Sequence, residues 1–154
     1  MELVEINQKI GKALDKLYKE DLLLFDKNLC ERCINHRFAI YLEQQNFGEG
    51  YFIDCEYNRS HLHENTSVKR VSSPNGNYID IIITKRDENY KNDLICFEVK
   101  KWNNFKNREK DRENLEILTA GVRFGYDYGF YIIFGETREK TKIEIYQNGR
   151  NINQ

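Results

Sequence analysis

An α/β fold, a mixed β-sheet flanked by helices, is the architecture this sequence predicts. Two observations carry it. Apolar residues recur at helical spacing near the N-terminus and again after Trp102, and the intervening and closing segments carry the alternation or apolar density of strands. Read in order, the elements are helices, three strands, a helix and then strands, which builds a sandwich around a mixed sheet.

Leu3, Ile6, Ile10, Ala13, Leu14 and Leu17 form one apolar stripe, so residues 3–18 read as an amphipathic helix that packs on this domain or, alternatively, on a partner or a second copy. Asp26 can cap a second helix running to about Gln45, with Ile34, Phe38, Tyr41 and Leu42 on one face and Glu31 at one end of it. Gly48 and Gly50 supply a turn before "YFIDCEYNR", whose alternation is that of a strand. Residues 60–77 are polar and hold the only Pro, in a Pro-Asn-Gly turn signal, which marks a long loop or hairpin extension. Strands follow at Tyr78–Lys85 and Leu94–Lys101. The segment "NNFKNREKDRENLEILTAG" then predicts a helix of about four turns that ends at Gly121 as its C′ residue. The strongly apolar "YDYGFYIIFG" and the alternating "KIEIYQNG" close the chain, the second at an edge or on one exposed face.

The 154 residues fit one domain spanning 1–154, and 40% hydrophobic with 13% aromatic content marks a globular chain. The charged N-terminus lacks the apolar core of a signal peptide, and no window approaches the ~18 apolar residues that span a bilayer, so the expectation is a cytoplasmic protein without membrane contact. Four scattered cysteines are too few for a secreted disulfide scaffold. A net charge of −1 argues against a surface basic all over, so any nucleic-acid site must be local.

The stretch "YIDIIITKRDENYKNDLICFEVKKW" sets Asp80, Glu98 and Lys100 inside otherwise apolar strands. Glu98 and Lys100 share a face with Leu94 and Cys96, Asp80 shares one with Ile82, and antiparallel pairing brings Asp80 beside Glu98 or Lys100. Two carboxylates and an ammonium in one buried cluster need a reason, since an uncompensated buried charge costs several kcal/mol. A divalent cation supplies one: Mg²⁺ takes hard oxygen ligands, often one or two carboxylates plus water and substrate phosphate, and Asp80 with Glu98 provides the protein side. Lys100 then orients a water or stabilises developing charge. The plain alternative is a salt bridge between strands.

On "YID" at Tyr78–Asp80 and "EVK" at Glu98–Lys100, the sequence resembles the PD-(D/E)XK nuclease superfamily, and on "ERCINHRFAIYLE", "DCEYNR", "DIIITKR" and "NDLICFEVKK" its small bacterial members. The resemblance runs from about Glu31 to Gly135 and implies a restriction-endonuclease-like three-layer sandwich. It implies Asp80 and Glu98 as metal ligands for Mg²⁺ or Mn²⁺, Lys100 at the attacking water, Glu31 in support, and DNA as substrate with RNA as the other possibility. Ile79 stands where the family often has Pro, a position that shapes a turn and is not a ligand.

Other residues join as candidates. Glu56 and Arg59 end the first strand, where Glu56 could hold a metal-bound water or form an Arg–Glu pair. Asp111 lies on the apolar face of its helix and could pair with a lysine of the neighbouring strand, orienting Lys101, or cap a loop. From Lys100 to Arg112 six basic residues outnumber two acidic ones, and Lys101, Trp102, Lys106, Arg108, Lys110 and Arg112 form a local footprint for nucleic acid, with Trp102 and Phe105 as stacking surfaces. His61 and His63 form an H-x-H without a matching ligand set, and Cys30 and Cys33 a C-x-x-C on a helix, which favours packing or chance. The leading expectation is a metal-dependent endonuclease. Against it stand a module of the same fold that only binds nucleic acid or a protein, and an interaction protein whose strand charges are a salt-bridge network. Sequence-specific cutting would need the long loop, a homodimer or a partner subunit, because no separate recognition domain is evident.

Overall fold

The computed structural model describes residues 1–25, 29–57, 78–85, 93–121 and 125–153. Helix α1 (Leu3–Glu20) has Ile6, Ile10, Ala13, Leu14 and Leu17 buried, so its stripe is a core contact of this chain, and Glu5 and Lys19 suit the helix dipole at its two ends. A 3₁₀ turn at Leu22–Phe25 follows. Helix α2 (Glu31–Glu43) begins later than the Asp26 cap predicts: Cys30 is its N-cap, Glu31 falls in its first turn, and Asp26 lies outside the described residues.

Strands β1 (Phe52–Tyr57), β2 (Ile79–Thr84), β3 (Asp93–Lys101), β4 (Tyr128–Phe134), β5 (Lys142–Gln147) and β6 (Arg150–Asn151) form, among the described residues, one mixed six-stranded sheet in chain order. Neighbours are antiparallel except β3 and β4, which run parallel and are joined through helix α3 (Arg108–Thr119). The β5–β6 hairpin turns on Asn148 and Gly149, both at positive φ (51° and 73°), the pattern of a type I′ turn. Helix α3 is about one turn shorter than expected, because residues 102–107 form turns, but it stops as predicted on Gly121 at φ 73°.

Two apolar clusters lie on opposite faces of the sheet. Residues of α1, α2 and their connection join Ile81, Ile83, Ile95, Phe97, Val99, Phe130, Ile132 and Phe134. Leu115 and Leu118 of α3 join Ile82, Cys96, Tyr131 and Tyr146. Gly129 allows α3 to seat closely, since a Cβ there would stand 3.1 Å from both Leu115 Cδ2 and Thr119 Cγ2. Helices therefore cover both faces, an arrangement compatible with a three-layer sandwich.

The strict alternation read from the sequence slips at two places. Leu94 joins the α1–α2 side next to the register shift between Ile83 and Thr84. Ile79 joins the α3 side, beyond the last β2–β3 pair at Ile81↔Phe97.

Candidate active site

Asp80 sits just beyond the last paired position between β2 and β3. On the β1 side, pairing is regular at Cys55↔Ile81 and Tyr57↔Ile79, but Glu56 between them takes φ 50°, a conformation that non-glycine residues rarely adopt. On the β3 side the paired positions end at Ile81↔Phe97. One step further along that register Asp80 faces Glu98, and the Asp80 side chain turns back so that Val99 N–H donates to its Oδ2 at 2.9 Å. An acidic side chain therefore replaces a backbone acceptor at this point of the sheet.

Glu98 is almost wholly buried beside Asp80, while Asn114 Nδ2 of α3 donates to its Oε1 at 3.4 Å. Burial first, then the charges of Asp80 and Asp111, push Glu98 well above the usual carboxylate range. Burial also raises Asp80, against the pull of the Val99 N–H and Lys100. Two carboxyls in contact cannot both stay ionised at low energy unless a cation joins them.

Lys100 lies two residues on, with Nζ 3.2 Å from Oδ2 of Asp111, both side chains largely buried. Burial alone would lower Lys100, but Asp111 and Asp80 outweigh it and hold the ammonium above its ordinary range. Burial raises Asp111, and Lys100 offsets part of that rise. The acid at the start of α3 thus orients Lys100, where the sequence pointed to Lys101.

Glu31 reaches the same end of β3 from α2. It accepts from Lys101 N–H at 2.6 Å and from Asn104 Nδ2 at 3.1 and 3.3 Å, tying the strand end to the turn beyond it. Its charge acts on Asp80, Lys100 and Asp111. Asp80, Glu98, Lys100, Asp111 and Glu31, drawn from two strands and two helices, therefore share one locality.

The remaining candidates divide. Glu56 pairs with Arg32 of α2 at 2.8 Å, both largely exposed; Arg59, His61 and His63 lie outside the described residues. Lys101, expected to face nucleic acid, is instead buried, with Nζ donating to Leu29 O at 3.3 Å, because it points to the α1–α2 side while Lys100 points to α3. Trp102 is half-buried with its Nε1 enclosed and without a hydrogen-bond partner among the described residues. Arg112 makes a two-pronged contact with Glu144, at 2.8 and 2.7 Å, and is engaged there. Lys106, Arg108 and Lys110 have no ion pair with a carboxylate among the described residues.

Asn114, Asn104 and Tyr131 were not singled out from sequence. Asn114 stands three residues after Asp111 on the inward face of α3, a polar residue in an apolar stripe, and that was its available signal. Tyr131 lies between Glu98 and Glu144 across the sheet, its hydroxyl buried without a hydrogen-bond partner among the described residues.

Glu144 gives a pH prediction apart from the site. Its hydrogen bonds from Arg112 hold it below its ordinary 4.5, so the folded state binds fewer protons than the unfolded one in that window. The stabilisation is full above about pH 4.5 and is lost as pH falls through the depressed folded value. Glu144→Gln is expected to cost about 1 to 3 kcal/mol near neutrality, the pair being partly exposed. In thermal melts its deficit against wild type should shrink on acidification below pH 4.5.

No family model, no curated protein and no solved structure matches this chain.

Hard-oxygen donors are what the site offers a cation. Among the described residues no group of three or more His, Cys, Asp or Glu side chains forms a ready ligand set, so the protein side would rest on Asp80 and Glu98. That pair still fits Mg²⁺ or Mn²⁺, which complete their shells with water and substrate oxygens. The repulsion between two buried acids is the physical argument for the fit.

Proposed function

We propose that this protein is a metal-dependent nuclease of the PD-(D/E)XK type, with a restriction-endonuclease-like fold, hydrolysing phosphodiester bonds in DNA. The observation that carries the proposal is the convergence of Asp80, Glu98 and Lys100 where the β2–β3 pairing ends, with Asp111 and Glu31 around them. A stability role alone explains this poorly, since two buried acids side by side cost stability whether they stay charged or one takes up a proton, a cost that a bound cation offsets.

Asp80 and Glu98 would hold the metal, which when bound polarises the scissile phosphate and acidifies water. Val99 N–H fixes the Asp80 carboxylate, and Asn114 steadies Glu98. Lys100, kept cationic by Asp111, acts as a donor to the phosphate or to the incoming water and stabilises the charge that develops, a role for an ammonium and not for a general base. Glu31 keeps the end of β3 and the following turn in register with α2, so that Lys100 is presented from a fixed strand.

The reading is tested with supercoiled plasmid and single-stranded DNA incubated with purified protein in Mg²⁺ or Mn²⁺. Cutting that requires the metal and stops with chelator is the expected result. Intact DNA after incubation with a folded chain contradicts it.

A further inference from the structure

The turn between β3 and α3 carries a feature that the cutting chemistry does not use. Phe105 is 73% exposed, a large ring left in water beside the candidate site. The Arg108 guanidinium lies 4.5 Å from the centre of that ring. Arg108 is held there by two backbone carbonyls, Asn104 O at 2.8 Å from Nε and Trp102 O at 3.0 Å from Nη2, and by no carboxylate among the described residues. Its positive charge is fixed in place but not neutralised.

The turn is itself anchored. The Asn104 side chain donates to Glu31 and accepts from Lys106 N–H at 3.1 Å, so the platform is tied to the residue that holds the end of β3. Lys106 and Lys110 flank it without a carboxylate partner among the described residues. Trp102, the other aromatic of this segment, is turned inward, which leaves Phe105 as its exposed ring.

We infer that Phe105 and Arg108 form a stacking platform for an unpaired nucleobase, so that the protein takes single-stranded nucleic acid in preference to duplex. An exposed π-face backed by a fixed cation matches a base, and the unneutralised charges of Arg108, Lys106 and Lys110 match the phosphates on either side of it. In a duplex the base faces are covered by their neighbours, so only an unpaired strand presents one. Charge selects nucleic acid over an apolar peptide as the occupant. The inference rests on the nucleic-acid reading proposed above and gives it a substrate class.

Binding of a labelled oligodeoxynucleotide, single-stranded or annealed to its complement, is measured by fluorescence anisotropy in EDTA, so that binding is read apart from cutting. The wild type is compared with Phe105→Ala and Phe105→Trp, whose exposed position spares the core. Phe105→Ala is expected to weaken single-strand binding about tenfold, within the range found for removing one stacked base contact, and to change duplex binding less than about twofold. Phe105→Trp should retain wild-type binding. Equal single-strand binding by wild type and Phe105→Ala, an equal loss on both substrates, or no single-strand binding by the folded wild type overturns the inference. An RNA strand of the same sequence offers the same base faces; Phe105 dependence on either strand supports the platform, and the tighter one identifies the sugar. Metal-dependent cutting is scored separately. Phe105-dependent binding without cutting removes the nuclease reading and leaves the platform, whereas cutting without Phe105 dependence does the reverse.

Discussion

Lys100→Met should lower the single-turnover rate of metal-dependent DNA cleavage by roughly 10²–10³-fold, the cost of removing one donor aimed at developing charge. Methionine keeps most of the aliphatic stem and deletes the ammonium, so the loss reports charge and not packing. The substitution also leaves Asp111 buried without its cation; burial already raises this acid, and it is expected to take up a proton. Circular dichroism and a thermal melt establish that the variant is folded before its rate is read. A folded Lys100→Met that cuts at the wild-type rate would remove Lys100 from the mechanism.

Phe38→Ala should give the largest loss of stability, about 3 to 5 kcal/mol. Phe38 of α2 is fully buried and meets Phe97 and Phe134 edge-on, with ring centres 6.0 and 5.6 Å away. Phe97 in turn stacks on Phe130 at 5.5 Å, so the ring links α2 to both β3 and β4. Denaturant unfolding measures the loss directly. Because Glu31 sits on the same helix, the weakened docking of α2 is also expected to loosen its bond to Lys101 N–H, and amide exchange at Lys101 reads that effect. Wild-type stability in Phe38→Ala would show that α2 is not held to the sheet through this ring.

Both predictions rest on elements that were visible in the sequence to different degrees. The stripe of α1 and the glycine stop of α3 came through because each is local: the first is a 3.6-residue period, the second a single backbone requirement at Gly121. The start of α2 did not, since an Asp is a good cap wherever it occurs, and here the chain inserts a 3₁₀ turn at Leu22–Phe25 before the helix begins at Glu31. Pairing β2 and β3 through their turn brought Asp80 beside Glu98 or Lys100 without choosing between them, and the fold sets it one step beyond the last pair, towards Glu98 and the Val99 N–H. The end of the β2–β3 pairing at Ile81↔Phe97 did not follow, because alternation along a strand does not say where its ladder stops.

Side-chain partners were the least legible. Asp111 was placed on the correct face of its helix, yet choosing between Lys100 and Lys101 requires knowing which face of β3 lies under α3. The basic run from Lys100 to Arg112 looked continuous in sequence, and the fold divides it. Lys101 goes to a backbone carbonyl, Arg112 to Glu144, and Lys100 to Asp111, which leaves Lys106, Arg108 and Lys110 without a carboxylate among the described residues.

Calorimetric titration of Mn²⁺ into the folded wild type and into folded Asp80→Asn distinguishes a cation site at Asp80 and Glu98 from a strained acid pair. The wild type is expected to bind one Mn²⁺ and to melt at a higher temperature in its presence, as any ligand selective for the folded state requires, with both effects lost in Asp80→Asn. The same heats and the same melting temperatures for the two proteins would contradict the cation site.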